Sequence, residues 1–411
     1  MRRDDWTKIL GWPGYTVYQQ EIDEKAKRLK LWVRRKRGNR RLICSGGGAR
    51  IAEAAEVAER EVGDLPCFEY RTTVVIERYR LRCPQCGLKI EKVEQLPSKA
   101  PFSKRFEGTV GEACESASAR RVAKQFVLAQ STVRAIDLRY LERWNGQRKK
   151  PALRHLGVDE IFLGKTTKFI TVVSNLESGE PLWFGRERKK ETLDEFFRSE
   201  LSARQRQRLE AACVDLWEPF KASILEWSPD CAIVYDKFHI VQHANQAVEE
   251  VRRAEFFRKG ARMRDVVTGK RWLLLTRWVH LTPNKRQQLN HLFSRNRKIM
   301  KAYLLKESLE RLWAYTYEGA MVRYLQNWTL HLRWQRLPAF EKLAHLLHDP
   351  VEGILNYCRI KVRFGVVEAI NANIKTLLRR RRGSKNLRYL LLNAQRMAVP
   401  KTAFVGFRKA A

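Results

Sequence analysis

Three aspartates each close a short apolar run: Asp159 in GVDE, Asp215 in CVDLW and Asp236 in VYDKFH. Open α/β sheets present their chemistry at strand ends, which makes these candidate site residues. A fourth acid, Glu368, sits in FGVVEAINANIK at 364–375. There Val367, Ile370, Ile374 and Leu377 make an apolar helical stripe, and Glu368, Asn371, Lys375 and Arg379 make a polar stripe one residue round. Carboxylates that converge on one pocket repel one another and raise their own pKa values unless a cation neutralises them, and hard oxygen ligands select Mg²⁺ or Mn²⁺. Two such ions about 3.5–4 Å apart would polarise an oxygen substrate and lower the pKa of a bound water or hydroxyl, with no protein nucleophile needed. Each acid also has an ordinary role open to it. Asp215 and Asp236 precede helical patterns as N-caps do, and Glu368 fits an exposed helix face.

A second set of potential ligands is made of thiols. The eight cysteines fall at 44, 67, 83, 86, 114, 213, 231 and 358. In a reducing cytosol they read as thiols or metal ligands rather than disulfides. CPQCG at 83–87 is a half-site for tetrahedral Zn²⁺, because two thiolates separated by two residues can bind one ion. The other half is irregular: Gly47 stands where a second cysteine would follow Cys44, and no histidine precedes His155. Cys67 is then the candidate that completes a four-cysteine site with Cys44, Cys83 and Cys86. A metal-free knuckle on a β-hairpin is the alternative. Cys213, Cys231 and Cys358 read as small buried hydrophobes.

The elements that must position these groups follow from periodicity. Residues 27–93 are β-rich, with LKLWVRRKR and TTVVIERYRLRC on either side of an SGGG turn and a short Ala/Glu segment. Residues 105–145 change period to three short helices, the last being STVRAIDLRYLERW with Ser131 as its N-cap, a helix-turn-helix outline. Its N-terminal Thr132 and Arg134 are the residues placed to reach base edges in a major groove. After the charged linker NGQRKKPA come three strands, HLGVDEIFLG, KFITVVSNLESG and EPLWFGRER, then one helix, ETLDEFFRSELSARQRQRLE. A strand, a helix and a strand complete that series. From about 240 to 360 the pattern is helical only, with tryptophans that read as core rather than as base-stacking platforms.

Charge says what such a chain would meet. In 411 residues there are 81 Lys plus Arg against 45 acids, a net +36 spread over RRKRGNRR (34–41), GQRKK (146–150) and LLRRRRGSK (377–385). A polyanion is the expected partner, and nucleic acid is favoured over a membrane because no apolar run of about 18 residues is present. With no signal-peptide pattern at the N-terminus, the expected location is the cytoplasm, on the nucleoid. A chain this long exceeds the roughly 250–300 residues at which one core stops growing, so two or three domains are expected.

Taken together, GVDE, the VD ahead of Trp-Glu-Pro-Phe, YDKFHIVQHANQAV, and VEAINANIK followed by an arginine run and Gly-Ser-Lys-Asn resemble the bacterial insertion-sequence transposases of the ISL-three group over nearly the whole chain. The resemblance implies a multidomain α/β protein with an RNase H-like mixed sheet interrupted by an all-helical insertion. A small β-rich zinc-finger-like module and a helix-turn-helix would precede it. By that resemblance the boundaries fall at 1–100 for the β-rich module, 101–150 for the helix-turn-helix, 151–240 and 361–411 for the two parts of the core, and 241–360 for the insertion. The DDE triad it implies is Asp159, Asp215 and Glu368, holding Mg²⁺ or Mn²⁺, with Asp236 competing for the middle place and His239 beside it. Lys375, Arg379, Arg380, Arg381 and Arg382 would grip the DNA backbone as positioning contacts. Arg363, Phe364 and Gly365 stand where the group usually has Thr-Asn-Gly, and Ala369 where it has Gly. The activity implied is strand cleavage at terminal inverted repeats and strand transfer into target DNA, by a dimer that brings two ends together. An inactive sequence-specific DNA-binding protein and a structure-specific nuclease are the competing readings.

Overall fold

The computed structural model describes residues 3–37, 42–97, 101–164, 168–258, 267–348, 351–380 and 386–399. The chain divides into two compact units, Met1–Gln147 and Arg148–Ala411.

In the first unit, helix α1 (Arg3–Leu10) leads into strands β1 (Tyr15–Asp23) and β2 (Arg28–Arg35), a short hairpin of β3 (Leu42–Ile43) and β4 (Arg50–Ile51), and then β5 (Ala54–Gly63), β6 (Arg71–Cys83) and β7 (Gly87–Ile90). The sheet runs β1-β2-β6-β5, with β7 paired to the end of β6. Trp6, Leu10 and Trp12 fill one face of it against Val17, Leu31, Val62, Val74 and Ile76. The Ala/Glu-rich segment at 54–63 is a strand. Its composition favours helix, but antiparallel pairing along β6, from Ala54 opposite Leu81 to Gly63 opposite Thr73, overrides that weak preference. Helices α2 (Lys104–Ser116), α3 (Ala119–Phe126) and α4 (Gln130–Gln147) close the unit. α4 begins before Ser131, with Val133 N–H donating to the Ala129 carbonyl, so Ser131 lies inside the first turn and does not cap it. Gly111 lets α2 meet α4 at close range, since a Cβ there would stand 2.3 Å from the Tyr140 ring.

In the second unit, strands β8 (His155–Gly164), β9 (Lys168–Asn175) and β10 (Glu180–Arg186) form an antiparallel meander. Helices α5 (Lys190–Glu200) and α6 (Ala203–Arg206) then lead to β11 (Ala211–Val214), α7 (Glu218–Trp227) and β12 (Ala232–Tyr235). The single helix expected across 191–210 is thus two, because Ser202 forms a capping box with Gln205 and restarts the helix. Strand order is β10-β9-β8-β11-β12, with β11 parallel to both β8 and β12.

Alternation along the strands sends Leu156, Val158, Ala212 and Val214 to one face, against Leu193, Phe196, Phe197, Phe220 and Ile224 of α5 and α7. The opposite face, carrying Ile161, Ile170 and Val172 in one patch and Cys213 and Val234 in another, is covered by residues of α15 (Phe364–Arg380) and α16 (Leu387–Ala398). Between them, α8 (Lys237–Arg258) opens a stretch that is helical through α9 (Arg271–Leu275), α10 (Pro283–Arg295), α11 (Arg297–Glu310), α12 (Glu318–Gln335), α13 (Pro338–His348) and α14 (Val351–Arg359). Trp313 and Trp328 are buried in it, while Trp272 and Trp334 are exposed. No described helix is long and apolar enough to cross a membrane.

Candidate functional site

Register brings the three aspartates together. Cys213 pairs with Gly157, and Val214 with Tyr235, so two residues further along β8 and one further along β11 and β12 the chain presents Asp159, Asp215 and Asp236 in one row. Neighbouring strands lie about 4.8 Å apart and side chains alternate, so the row shares a face. That face is the one beneath α15, where Val367 packs with Cys213 and Val234 immediately before the acids.

Each aspartate uses one oxygen on the backbone and turns the other to a side chain. Asp215 Oδ1 accepts from Trp217 N–H at 3.2 Å and Oδ2 from Arg188 at 2.6 Å. Asp236 Oδ1 accepts from Phe238 N–H at 2.9 Å, while its Oδ2 lies 3.2 Å from His239 Nδ1. Asp159 Oδ1 accepts from Glu160 N–H at 2.7 Å, and its Oδ2 accepts from the Asn371 amide. Only Asp236 stands where an N-cap would, directly before Lys237; the helix after Asp215 has Trp217 at its N-cap position, and Asp159 lies within β8.

Two internal cations face this cluster. His239 Nε2 is 4.0 Å from Asp159 and bridges toward Asp236. Arg188 reaches Glu160 at 3.0 Å and Asp215 at 2.6 Å, with its guanidinium 4.2 Å from the centre of the Trp217 ring. Burial raises the pKa of Asp159, and the charges of Asp215 and Asp236 push the same way against His239. Asp215 is likewise raised by burial, opposed by Arg188. Glu160 is lifted to about 7 by burial and by Asp215. Burial disfavours the charged form of His239, but its bond to Asp236 and the charges of Asp159 and Asp215 outweigh that and lift it to about 9. Carboxylates gathered in a buried place are hard oxygen donors of the kind that suit a hard cation.

Glu368 is exposed on α15 and lines, with Gly365, a groove of about 370 Å³ shared with Asp236, Phe238 and Asn245. The residue of α15 that touches the aspartate row is Asn371, one turn on and buried. Sequence reasoning placed Asn371 behind the glutamate and gave no role to Glu160 or Arg188. The only signal for Arg188 was its place in RER, at the exit of β10 into α5. Lys375 and Arg379 are exposed further along the same helix, which Arg380 closes; Arg381 and Arg382 lie outside the described residues.

In the first unit, Cys44, Cys83 and Cys86 bring their sulfurs within 4.8 Å of one another. Cys83 ends β6 and Cys86 follows in the turn to β7, while Cys44 opens the glycine turn between β3 and β4. N–H groups of Gly47 and Gly46 lower the pKa of Cys44. A Cβ at Gly46 would stand 3.0 Å from Cys86 Sγ, so the turn approaches the sulfur closely because it lacks side chains. Cys67 is not in this group. It sits in the turn closed by paired hydrogen bonds with Tyr70 and packs against the sheet core. Thr132 and Arg134 are half-buried in the first turns of α4.

Residues 156–394 match the model of the ISL3-type DDE family, described as transposase. The transposase for insertion sequence element IS1001 of Bordetella parapertussis is 30% identical over 397 residues, which is 96% of this chain and 97% of that protein. The transposase for insertion sequence element IS1557 of Mycobacterium tuberculosis is 25% identical over 330 residues, 74% of this chain and 73% of its own length.

Proposed function

From its membership of the ISL3 family of insertion-sequence transposases, which makes this chain a DNA transposase, we propose that Asp159, Asp215 and Glu368 form its catalytic triad on an RNase H-like core. The observation that carries the reading is the row of aspartates on three adjacent strands beneath the helix that bears Glu368. Asp236 is the alternative second acid, since it shares a groove with Glu368.

The donor set fits Mg²⁺ or Mn²⁺. It is made of carboxylates, burial pushes up the pKa values of Asp159 and Asp215, and Glu160 Oε2 and Asn371 Oδ1 beside them are buried without a partner. Bound ions of this kind supply Lewis-acid activation of a phosphate and of the attacking hydroxyl. The chain's own groups do the rest. Asn371 orients Asp159, Asp236 orients His239, and the cationic face of α15 at Lys375 and Arg379 holds the DNA backbone. Because no protein nucleophile is needed, water would free a transposon end and the resulting 3′-hydroxyl would attack target DNA at the same acids.

The first unit would recognise the element's ends. Its helical part, with Thr132 and Arg134 at the start of α4, is the DNA-reading segment, and Cys44, Cys83 and Cys86 would hold a structural Zn²⁺ that fixes the two turns. A dimer in the cytoplasm, on the nucleoid, would pair two inverted repeats.

The test uses purified protein, a labelled inverted-repeat end and Mg²⁺ or Mn²⁺. Nicking that is lost in Glu368→Gln while end binding survives supports the proposal. End binding by the unaltered protein without any nicking would make it a DNA-binding derivative instead.

A further inference from the structure

Arg188 stands where the site would otherwise need an ion. It enters from the exit of β10, forks between Glu160 and Asp215 at 3.0 and 2.6 Å, and lies over the Trp217 ring. The carboxylate of Asp215 is buried, so a charge there without a partner would be strongly disfavoured. Yet the arrangement is incompletely satisfied: Arg188 Nε and Glu160 Oε2 are both buried and unbonded. A guanidinium that belonged there permanently would be expected to use its buried Nε–H. Trp217, more than a third exposed, gives the guanidinium a surface to rest on when it leaves Asp215.

We propose that Arg188 is a resident counter-cation that competes with a divalent ion for Asp215, holding the acids together in the ion-free protein and yielding Asp215 when the ion arrives. This rests on the reading of Asp215 as a metal ligand. Binding of the ion breaks the Arg188–Asp215 pair, and the freed guanidinium, still beside the site, becomes a donor for a DNA phosphate oxygen. Arg188 thereby acts through Asp215 and through substrate positioning, with no covalent bond made or broken by the arginine itself.

The experiment measures Mn²⁺ binding to the full chain without DNA, by electron paramagnetic resonance or calorimetry, in the unaltered protein and in Arg188→Gln, Arg188→Lys and Asp215→Asn. The expected result is Mn²⁺ binding about tenfold tighter in Arg188→Gln, the scale on which a cation within a few ångströms biases a carboxylate. Arg188→Lys, which keeps charge but loses the fork, should fall between. The ion-free melting temperature should drop in Arg188→Gln and be restored by Mn²⁺, whereas a merely structural arginine would leave a deficit that the ion does not repair. Unchanged or weaker Mn²⁺ affinity in both arginine variants, with binding by the unaltered protein that Asp215→Asn abolishes, overturns this inference and leaves the triad standing. Absence of any Mn²⁺ binding that depends on Asp215 overturns both. If Arg188→Gln does not fold, the Arg188→Lys affinity decides on its own.

Discussion

The thiol cluster of the first unit and the carboxylate row of the second are built by opposite means. Cys83 and Cys86 share one turn and Cys44 comes from another, so the cluster depends on two turns meeting, one of them glycine-rich. Asp159, Asp215 and Asp236 come from three strands, and their meeting depends on register. The thiol Cys44 is stabilised as an anion chiefly by the backbone N–H groups of Gly47 and Gly46, with help from the neighbouring Cys83 and Cys86 thiols, whereas the carboxylates are faced by Arg188 and His239. A turn-built site can change its ligand count by one substitution without disturbing a sheet. A register-built site is fixed by the whole fold and can only be tuned by what surrounds it.

The sharpest way to break the comparison is to remove a row acid. Asp159→Asn should lower the cleavage rate by roughly 10³-fold or more, the scale on which members of one catalytic constellation act, with end binding retained. Cys83→Ser should abolish binding of about one Zn²⁺ per chain and lower the melting temperature of the first unit, while Cys67→Ser leaves the metal content unchanged; equal loss in both would return Cys67 to the site. Asn371→Ala should cost about 10–100-fold in metal affinity or rate, as is typical when a residue that orients a ligand is lost. Gly157→Ala should destabilise the second unit by about 1–3 kcal/mol in denaturant titration, because its Cβ would meet Leu176 at 2.6 Å and Ser174 at 2.7 Å; the same change at Gly48, which has nothing within 4 Å, involves only backbone strain.

The smallest effect is a pH dependence. The pKa of His239 is raised in the folded protein to about 9, above its unfolded value of about 6.5. Its contribution is therefore complete below pH 6.5 and is lost as the pH climbs toward 9. In chelator, the melting temperature should fall across that interval, and His239→Gln should flatten the decline.

Much of the second unit was legible because its signals are local. The alternation of HLGVDEIFLG and KFITVVSN and the apolar runs before Asp215 and Asp236 gave the strands in the order observed. Strand register was not legible, since pairing is a contact between distant segments, and with it went the partnership of Arg188 with Glu160 and Asp215. In the first unit, Tyr15–Asp23 and Arg3–Leu10 lay outside the β-rich segment inferred from composition. YTVYQQEID buries residues mainly at its start, and its pairing with β2 supplies what its own pattern lacks. The cysteines show the same limit: CPQCG marked two candidate ligands by spacing, while Cys67 fitted only as a count to be made up, and the Tyr70 turn takes it elsewhere. Asn371 was visible as a polar position on the α15 stripe, but that its amide reaches Asp159, 212 residues away, belongs to packing.

On the triad proposed above, the divided use of oxygens in Asp215, and in Asp236 as its alternative, ties the reaction to the integrity of the chain. Each carboxylate also anchors the backbone entering the next helix, through Trp217 and Phe238. An alanine at Asp236 would remove a helix anchor of the kind worth roughly 0.5–2 kcal/mol as well as the proposed ligand, whereas asparagine at either position removes the charge and keeps an acceptor. A genomic copy eroding under neutral drift would accordingly tend to fall silent and lose solidity together. Only the narrow route through amides leaves a well-made protein that no longer cuts.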